Sequence, residues 1–349
     1  MSRVLELINK LKDEHSLSTD EYRFILDNYT DEDARSAAEM ALKVKQGIYG
    51  NEVFLRGLIE VSSICKNDCL YCGLRRSNTN CQRYRLTKDE ILECCKEGYN
   101  IGYRTFVLQG GEDAYFNDEI LCDIIKSIKE SYPDCAVTIS LGERSRKSYE
   151  AIKKAGADRY LLRHETATSE HYSQLHPEVM TLENRMQCLK ELKELQFQTG
   201  CGFMVGSPFQ TNEHIARDLK FIEEFSPEMC GIGPFIPHHA TPFAEYSAGS
   251  VELTCFLLSL VRLMHPRVLL PATTALGTMH PNGRQMGLLA GANVIMPNLS
   301  PQSVRKKYEL YDGKAHTGQE AAENKKEIEN TLESLGMYAN ASRGDFKRI

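Results

Sequence analysis

The sequence predicts an α/β fold: a (β/α)8 TIM barrel with extra N-terminal helices and a C-terminal helical segment. Two observations predict it. Short apolar runs alternate with helical patterns from about residue 50 to 300, and 349 residues suit one such barrel. The predicted strands lie near 53–62, 105–109, 136–140, 159–163, 200–206, 229–235, 267–272 and 293–298. A doubly wound open sheet is the alternative that this spacing leaves open.

Helical patterns fill the intervals between the predicted strands. Thr87 and Glu90 form a capping-box pattern that opens one helix. Further helices are predicted near 117–130, 146–155, 181–196, 212–225 and 251–264, where apolar residues recur at spacings of three and four. We therefore expect one structural domain in three parts. Residues 1–50 form two helices packed on the barrel, 51–312 form the barrel, and 313–349 form a polar helical extension across one end.

Composition and charge exclude several functional classes. The net charge is −6 without a long basic run, so nucleic acid is not an expected partner. No apolar stretch reaches the roughly 18 residues that a membrane helix needs. Charges interrupt residues 1–16 too often for a signal peptide, and we expect a cytoplasmic protein. The 12 cysteines are then expected to be reduced rather than paired in disulfides.

Cys65, Cys69 and Cys72 form a C-x3-C-x2-C pattern directly after the first predicted strand. In a (β/α)8 barrel that position is a loop at the C-terminal face, where active sites lie. Three thiolates suit a soft metal, whereas zinc normally takes four protein ligands. A four-iron cluster on three cysteines leaves one iron open to another ligand. Three buried core cysteines, or zinc with a distant fourth ligand, are the alternatives.

Polar residues also end other predicted strands. Gln109, Gly110, Gly111 and Glu112 follow the second strand, where glycine lets the backbone approach a ligand closely. Arg163 and Glu165 follow the fourth and would share one face, with Glu165 accepting ribose hydroxyls and Arg163 holding a carboxylate. The alternative is a structural ion pair at the rim. Arg185 is a second candidate carboxylate clamp, or else a solvated helix residue.

Small hydroxyl side chains line two more strands of the predicted barrel. Thr138 and Ser140 alternate with apolar residues, and Thr273 and Thr274 end the seventh strand, as suits a polar ligand. These hydroxyls could instead satisfy local backbone groups. Met204 ends the fifth strand and would lie against a nucleoside, although methionine is more often a core residue.

The cysteine pattern, with Tyr71 before its last cysteine, resembles the signature of the radical S-adenosylmethionine (SAM) superfamily. The resemblance implies that the open iron binds the amino and carboxylate groups of SAM. Reductive cleavage then yields a 5′-deoxyadenosyl radical. Gly110, Gly111 and Glu112 resemble the superfamily's GGE element, which binds the methionine amino group. The implied cofactor-binding residues are Tyr71, Gln109, Gly110, Gly111, Glu112, Thr138, Arg163, Glu165, Arg185 and Met204.

Longer stretches, including 69–78, 107–113, 155–166, 198–206, 231–238, 271–278 and 291–298, resemble the [FeFe]-hydrogenase maturase HydE family. The resemblance implies assembly of the hydrogenase H-cluster. The implied substrate is an iron complex of carbon monoxide, cyanide and cysteine from the companion maturase HydG. It further implies transient contact with HydG and HydF and a reducing electron donor. Ser140, Thr273 and Thr274 would line the substrate side, and Tyr308 and Tyr311 would close the cavity.

One departure from the family concerns a second iron–sulfur cluster that some members carry on three cysteines. An ungapped match puts His316, Asn324 and Glu327 at those places. Oxygen ligands and one histidine suit an iron–sulfur cluster poorly, so we predict a single [4Fe-4S] cluster. Three other functions stay open: a methylornithine synthase, a biotin synthase-like enzyme, and a non-catalytic iron–sulfur scaffold.

Overall fold

A closed ring of parallel strands forms the centre of the molecule. The computed structural model describes residues 2–314, 321–340 and 342–347. The strands are β1 Glu52–Leu55, β2 Gly57–Ser62, β3 Thr105–Gly110, β4 Ala136–Ser140, β5 Arg159–Leu161, β6 Gln198–Cys201, β7 Met204–Val205, β8 Met229–Cys230, β9 Gly233–Pro234, β10 Val294–Ile295 and β11 Tyr338–Asn340. Six of them make a parallel sheet in the order β2-β3-β4-β5-β6-β8.

Isolated parallel bridges close this sheet into a barrel. Met229 of β8 pairs with Leu269, Pro271 pairs with Val294 of β10, and Asn298 pairs with Leu58 of β2. The predicted barrel is therefore confirmed, and the open sheet is wrong. The seventh predicted strand, 267–272, contributes only these bridges, since Pro271 has no N–H to donate to a ladder. Beyond the break at Gly202, β7 and β9 pair separately in parallel.

Helices cover the outside of the ring. They are α1 Arg3–Glu14, α2 Thr19–Asn28, α3 Asp31–Tyr49, α4 Lys88–Asn100, α5 Asp118–Ser131, α6 Arg146–Lys154, α7 Ser169–Leu175, α8 Leu182–Glu194, α9 Asn212–Phe225, α10 Val251–Met264, α11 Thr274–Met279, α12 Gly283–Leu289, α13 Gln302–Arg305 and α14 Ala321–Ser334. The capping box predicted at Thr87 and Glu90 is present at the start of α4. Within the described ranges, no helix is long and apolar enough to cross a membrane.

The first 50 residues form three helices where the sequence predicted two. Ser18 caps α2 and Thr30 caps α3, each in a capping box with an acidic residue three positions on. These two capping boxes mark the starts of separate helices, which the apolar pattern alone did not reveal. Helix α3 packs on α10 and α2 packs on α9, so the N-terminal helices lie against the outer layer of the barrel.

The C-terminal residues lie across the amino-terminal end of the barrel strands. Helix α14 was expected, but β11 was not; it adds to β1 in parallel, with Val53 opposite Ala339. The following segment, 342–347, is tied to the first residues of two strands. Arg159 of β5 donates to Asp345 at 2.6 Å, and Gln198 of β6 donates to the same carboxylate at 2.9 Å. This end of the ring is therefore covered by the chain's own C-terminal part.

Candidate active site

A cavity of about 350 Å³ opens at the carboxyl ends of the strands. Nearly all predicted site residues line it, from eight different parts of the chain. They are Cys65, Cys69, Tyr71, Cys72, Gln109, Gly110, Gly111, Glu112, Ser140, Arg163, Glu165, Arg185, Met204, Thr273, Thr274, Tyr308 and Tyr311. Thr138 is the exception. It lies two residues before Ser140 on β4, deeper in the barrel, where its Oγ1 is buried without a hydrogen-bond partner among the described residues.

The loop that carries the three cysteines is held by charged side chains. Arg75 donates to both oxygens of Asp68, at 2.9 and 2.8 Å, and these hydrogen bonds lower the pKa of Asp68 well below its usual value. Arg83 donates to four backbone carbonyls of the same region, those of Ser63, Leu74, Arg75 and Asn78. Asp68, between the cysteines, and two arginines that follow them therefore fix the loop, which is not part of the apolar core.

Close packing joins the cysteine loop to the end of β3. The backbone N–H of Glu112 donates to Sγ of Cys65 at 3.3 Å. A Cβ on Gly111 would lie 2.3 Å from the carbonyl oxygen of Ile64 and 2.7 Å from Cβ of Cys65. Only glycine therefore fits at position 111 without a steric clash. The side chain of Glu112 is in turn packed on Gly142 and accepts the N–H of Glu143 at 2.9 Å.

The three thiols are close enough to influence one another but do not converge on one point. Burial raises the pKa of Cys65 and of Cys69, and it raises the pKa of Cys72 to about 12. The ligand atoms of a single tetrahedral zinc ion lie roughly 3.8 Å apart. Among the described residues, His238, His239 and Asp312 are the one group of three metal-binding side chains whose ligand atoms all lie within 4.8 Å. The three cysteine sulfurs do not all lie within 4.8 Å of one another, so they do not form a ready-made site for a single zinc ion.

Arg163 and Glu165 carry buried polar atoms that the protein leaves without hydrogen bonds. One terminal nitrogen of Arg163 and Oε2 of Glu165 form an ion pair at 3.1 Å, which is the ion-pair alternative that the sequence left open. Neither of these atoms, nor Nε of Arg163, makes a well-aligned hydrogen bond within the described ranges. Such atoms are costly when buried, unless a ligand supplies the missing partners. Strand β5 ends at Leu161, so these residues lie on a loop rather than on the predicted strand. Glu165 has a left-handed backbone, with φ of 65°, and still lines the cavity.

Arg185 is buried on α8, so its interpretation as a solvated helix residue is wrong. Its Nε donates to Glu143 at 2.5 Å, and a terminal nitrogen donates to the carbonyl oxygen of Arg163 at 2.6 Å. Arg185 therefore supports the backbone of Arg163 directly.

Tyr71 is tied to a neutral histidine behind the cysteine loop. Burial lowers the pKa of His176 to about 3. The Nδ1 of His176 lies 3.0 Å from the carbonyl oxygen of Tyr172, and its Nε2 lies 3.1 Å from the hydroxyl of Tyr71. Since a carbonyl can only accept, Nδ1 carries the proton and Nε2 accepts from Tyr71. The ring of Tyr71 is therefore fixed at the edge of the cavity.

The segment 302–314 covers the other side of the cavity. Tyr308 is buried and accepts a long hydrogen bond of 3.4 Å from Gln109, while burial raises the pKa of Tyr311 to about 12. The carbonyl oxygen of Leu310 accepts the N–H of Gly73 at 2.8 Å, directly after Cys72. The cover of the cavity is thus hydrogen-bonded to the cysteine loop.

Comparisons with known proteins agree with this geometry. Residues 59–222 match the model of the radical SAM superfamily. The HydE subunit of the [FeFe] hydrogenase maturase from Thermotoga maritima is 44% identical over 311 residues, 89% of this chain and 88% of that protein. The chain belongs to the HydE family. It is thus a radical SAM enzyme, and the predicted cofactors, a [4Fe-4S] cluster and SAM, are those of its superfamily.

More distant relatives share the fold of this HydE-family chain. The 3-methylornithine synthase of Methanosarcina acetivorans is 27% identical, over 97% of this chain and 95% of that protein. The crystal structure of methylornithine synthase (PylB) superposes with a TM-score of 0.83 at 26% identity, covering 96% of this chain and 97% of that one. The crystal structure of HydG superposes with a TM-score of 0.78 at 21% identity, covering 97% and 76% respectively. These structures show the same barrel architecture.

Two charged residues of the cavity were missed by the sequence analysis. Glu60, on β2, is fully buried and pairs with Lys314, which also donates to the carbonyl oxygen of Tyr308 at 2.9 Å. Asn298 donates to the other oxygen of Glu60 at 2.9 Å. A glutamate within the otherwise apolar run 57–62 was the available signal, because an inward-facing charge in a barrel needs a partner.

The stretch where other family members carry a second cluster is only partly described. His316 lies outside the described residues. Asn324 is buried and Glu327 is exposed, both on α14. The absence of a second cluster stays a prediction, as does the division into 1–50, 51–312 and 313–349.

Proposed function

We propose that this chain is a maturase of [FeFe] hydrogenase that cleaves SAM reductively in the cavity at the carboxyl ends of the strands. One observation carries the proposal. The three cysteines share a cavity with the ion pair of Arg163 and Glu165, and three buried polar atoms of that pair make no hydrogen bond among the described residues. A carrier of iron–sulfur clusters has no use for such a pair, whereas a bound amino acid and ribose would satisfy both.

Cys65, Cys69 and Cys72 would hold the [4Fe-4S] cluster, which, when bound, supplies the electron and the open iron for SAM. The chain's own residues then bind and orient that cofactor. Gly110 and Gly111 line the cavity beside Cys65 and would lie next to the methionine part of SAM, and Glu112 would accept a hydrogen bond from its amino group. Arg163 would hold the carboxylate and Glu165 the ribose hydroxyls. Tyr71 and Met204 would pack against the remaining apolar surface, and Arg185 would fix Arg163.

The opposite side of the cavity would bind the substrate. We propose a sulfur-containing substrate, an iron–cysteine complex with carbon monoxide and cyanide ligands that HydG supplies. Ser140, Thr273 and Thr274 offer hydroxyls there, and Oγ1 of Thr273 is buried without a partner in the described part of the chain. Tyr308 and Tyr311 would exclude water from the reacting groups. Transient contacts with HydG and HydF, and an external electron donor, complete the proposal.

The same proposal places the chain in the cytoplasm. All 12 cysteines are free in the structure, and thiols stay reduced in that compartment.

The test is anaerobic reconstitution followed by reduction with dithionite and addition of SAM. We expect 5′-deoxyadenosine from the wild type and none from Cys69→Ala, which should still fold. With a synthetic iron–cysteine carbonyl cyanide complex, we expect an adenosylated sulfur species by mass spectrometry. A wild-type protein with intact cluster that releases no 5′-deoxyadenosine would instead support the scaffold function.

Methylornithine synthase is the second candidate, because that structure superposes over nearly the whole chain. Lysine is the discriminating reagent. A product isomeric with lysine would identify this activity, and unchanged lysine beside the adenosylated sulfur species would exclude it.

A further inference from the structure

The loop that carries Arg163 and Glu165 has a backbone that needs support. Glu165 adopts φ of 65°, and it pairs with Phe203 in an isolated parallel bridge. A left-handed backbone is uncommon for a residue with a side chain and persists where its surroundings impose it. This conformation turns Glu165 into the cavity only two residues after Arg163. The groups that hold the loop therefore decide where both side chains point.

The first support is a double hydrogen bond to the end of β6. The N–H of Glu165 donates to the carbonyl oxygen of Gly202 at 3.0 Å, and the N–H of Gly202 donates to Nδ1 of His164 at 3.2 Å. Gly202 itself has φ of 147°, and a Cβ there would lie 2.0 Å from the carbonyl oxygen of Gly231. The loop is thus joined to a backbone position that admits only glycine.

The second support is Asp218 on α9, a carboxylate with no exposed surface. One oxygen accepts the N–H of Ala167 at 2.5 Å and lies 3.5 Å from Nε2 of His164. Neither Nε2 of His164 nor the second oxygen of Asp218 has a hydrogen-bond partner among the described residues. Because Nδ1 of His164 accepts from Gly202, the ring proton lies on Nε2, which faces Asp218. Asp218 therefore contacts the loop on both sides of Glu165.

We propose that Asp218 is a positioning residue for SAM: by contacting His164 and Ala167, it holds the left-handed turn that directs Arg163 and Glu165 into the cavity. The inference rests on the proposed function, since it requires that these two residues bind the cofactor. Asp218 does not line the cavity, and it acts through the loop. A purely structural role would lower stability without a selective effect on cofactor binding.

Two variants test the contact between Asp218 and His164. Asp218→Asn keeps one oxygen for both the N–H of Ala167 and Nε2 of His164, but it removes the carboxylate charge that the His164 ring faces. His164→Asn keeps an acceptor for Gly202 and is too short to reach Asp218. We expect each variant to raise the SAM concentration at half saturation roughly tenfold, because each removes one partner of the 3.5 Å contact between the His164 ring and the Asp218 carboxylate. The double variant should show about the same rise, because both changes break one contact.

The measurement follows the EPR spectrum of the reduced cluster during titration with SAM, beside iron content and melting temperature. The rate of 5′-deoxyadenosine formation at saturating SAM should stay close to that of the wild type, so that KM changes and kcat does not. Asp33→Asn is the matched control: Asp33 is also buried, but it belongs to the capping box of α3 on the outer layer. Its half saturation should equal that of the wild type.

The inference would be overturned if either folded variant had a SAM concentration at half saturation within twofold of the wild-type value. An equal rise of that concentration in Asp33→Asn would also overturn it, because the rise would then be a general effect of lost stability. Failure of Asp218→Asn to fold leaves His164→Asn to decide. Absence of SAM binding in the wild type would instead overturn the proposed function.

Discussion

Gly111 packs directly against Cys65 at the carboxyl end of the barrel strands, and no further atom fits between the glycine and the cysteine side chain. A Cβ on Gly111 would come within 2.7 Å of Cβ of Cys65 and within 2.3 Å of the carbonyl oxygen of Ile64. Neither neighbour is the flexible end of a side chain, so the backbone of the cysteine loop would have to move.

Gly111→Ala should therefore displace Cys65 and impair cluster binding. We expect a loss of about 1–3 kcal/mol in the free energy of unfolding, as for other overpacked sites, and iron content below that of the wild type after reconstitution. Gly47→Ala is the control, since a Cβ at Gly47 would meet no atom of the described residues within 4 Å. Equal iron content in both variants would contradict the close packing of Gly111 against the cysteine loop.

Cys72 should react slowly with alkylating reagents when the cluster is absent. Burial favours the neutral thiol and raises its pKa from 9.0 to about 12. The thiolate is the nucleophile, so at pH 8 its population should be about a thousandfold below that of an ordinary cysteine. Mass spectrometry of iodoacetamide-treated apoprotein would measure this, with urea-unfolded protein as control. Reaction at the unfolded rate would refute it.

The buried pair of Glu60 and Lys314 offers a test of the cavity's electrostatics. Lys314→Met should cost about 3–5 kcal/mol of stability, because it leaves a buried carboxylate whose one remaining side-chain partner among the described residues is Asn298. Glu60→Gln combined with Lys314→Met removes both charges and should recover most of that loss. Chemical denaturation of the three variants gives the comparison. A double variant as unstable as the single one would argue against the pair.

The C-terminal segment should make stability depend on pH in the acid range. Burial alone would raise the pKa of Asp345, but Arg159, Arg343 and Gln198 outweigh it and lower that pKa to about 2. A carboxylate with a lowered folded pKa stabilises the protein above its unfolded value near 4, and this stabilisation is lost as the pH falls towards 2. Because Asp345 is 39% exposed, screening reduces the contribution to about 1 kcal/mol.

Asp345→Asn should remove this part of the acid dependence. Denaturation of cluster-free wild type and variant between pH 5 and 2 measures it, and the gap between the two proteins should narrow with falling pH. A constant gap would show that Asp345 does not titrate in the native state with a lowered pKa.

Much of the barrel and its site could be predicted because each depends on local sequence. Alternating apolar runs mark parallel strands, and Cys65, Cys69 and Cys72 follow the first run at a fixed spacing. The predicted site residues were therefore brought together by the ring itself, since strand ends meet at one face.

What escaped prediction depends on contacts distant in sequence. The pairing of Lys314 with Glu60 joins residues 254 positions apart. The left-handed turn at Glu165 depends on Gly202 and Asp218, neither of which is near it in the chain. Thr138 was placed at the ligand because it shares a face with Ser140, but periodicity gives the face of a strand and not the depth within the barrel.

The hydrogen bond between Gly73 and Leu310 joins the cover of the cavity to the cysteine loop. Any movement of Tyr308 and Tyr311 that opened the cavity would have to break that hydrogen bond or shift the backbone next to Cys72. While this hydrogen bond is intact, the cover of the cavity and the loop that would carry the iron cannot move independently of each other.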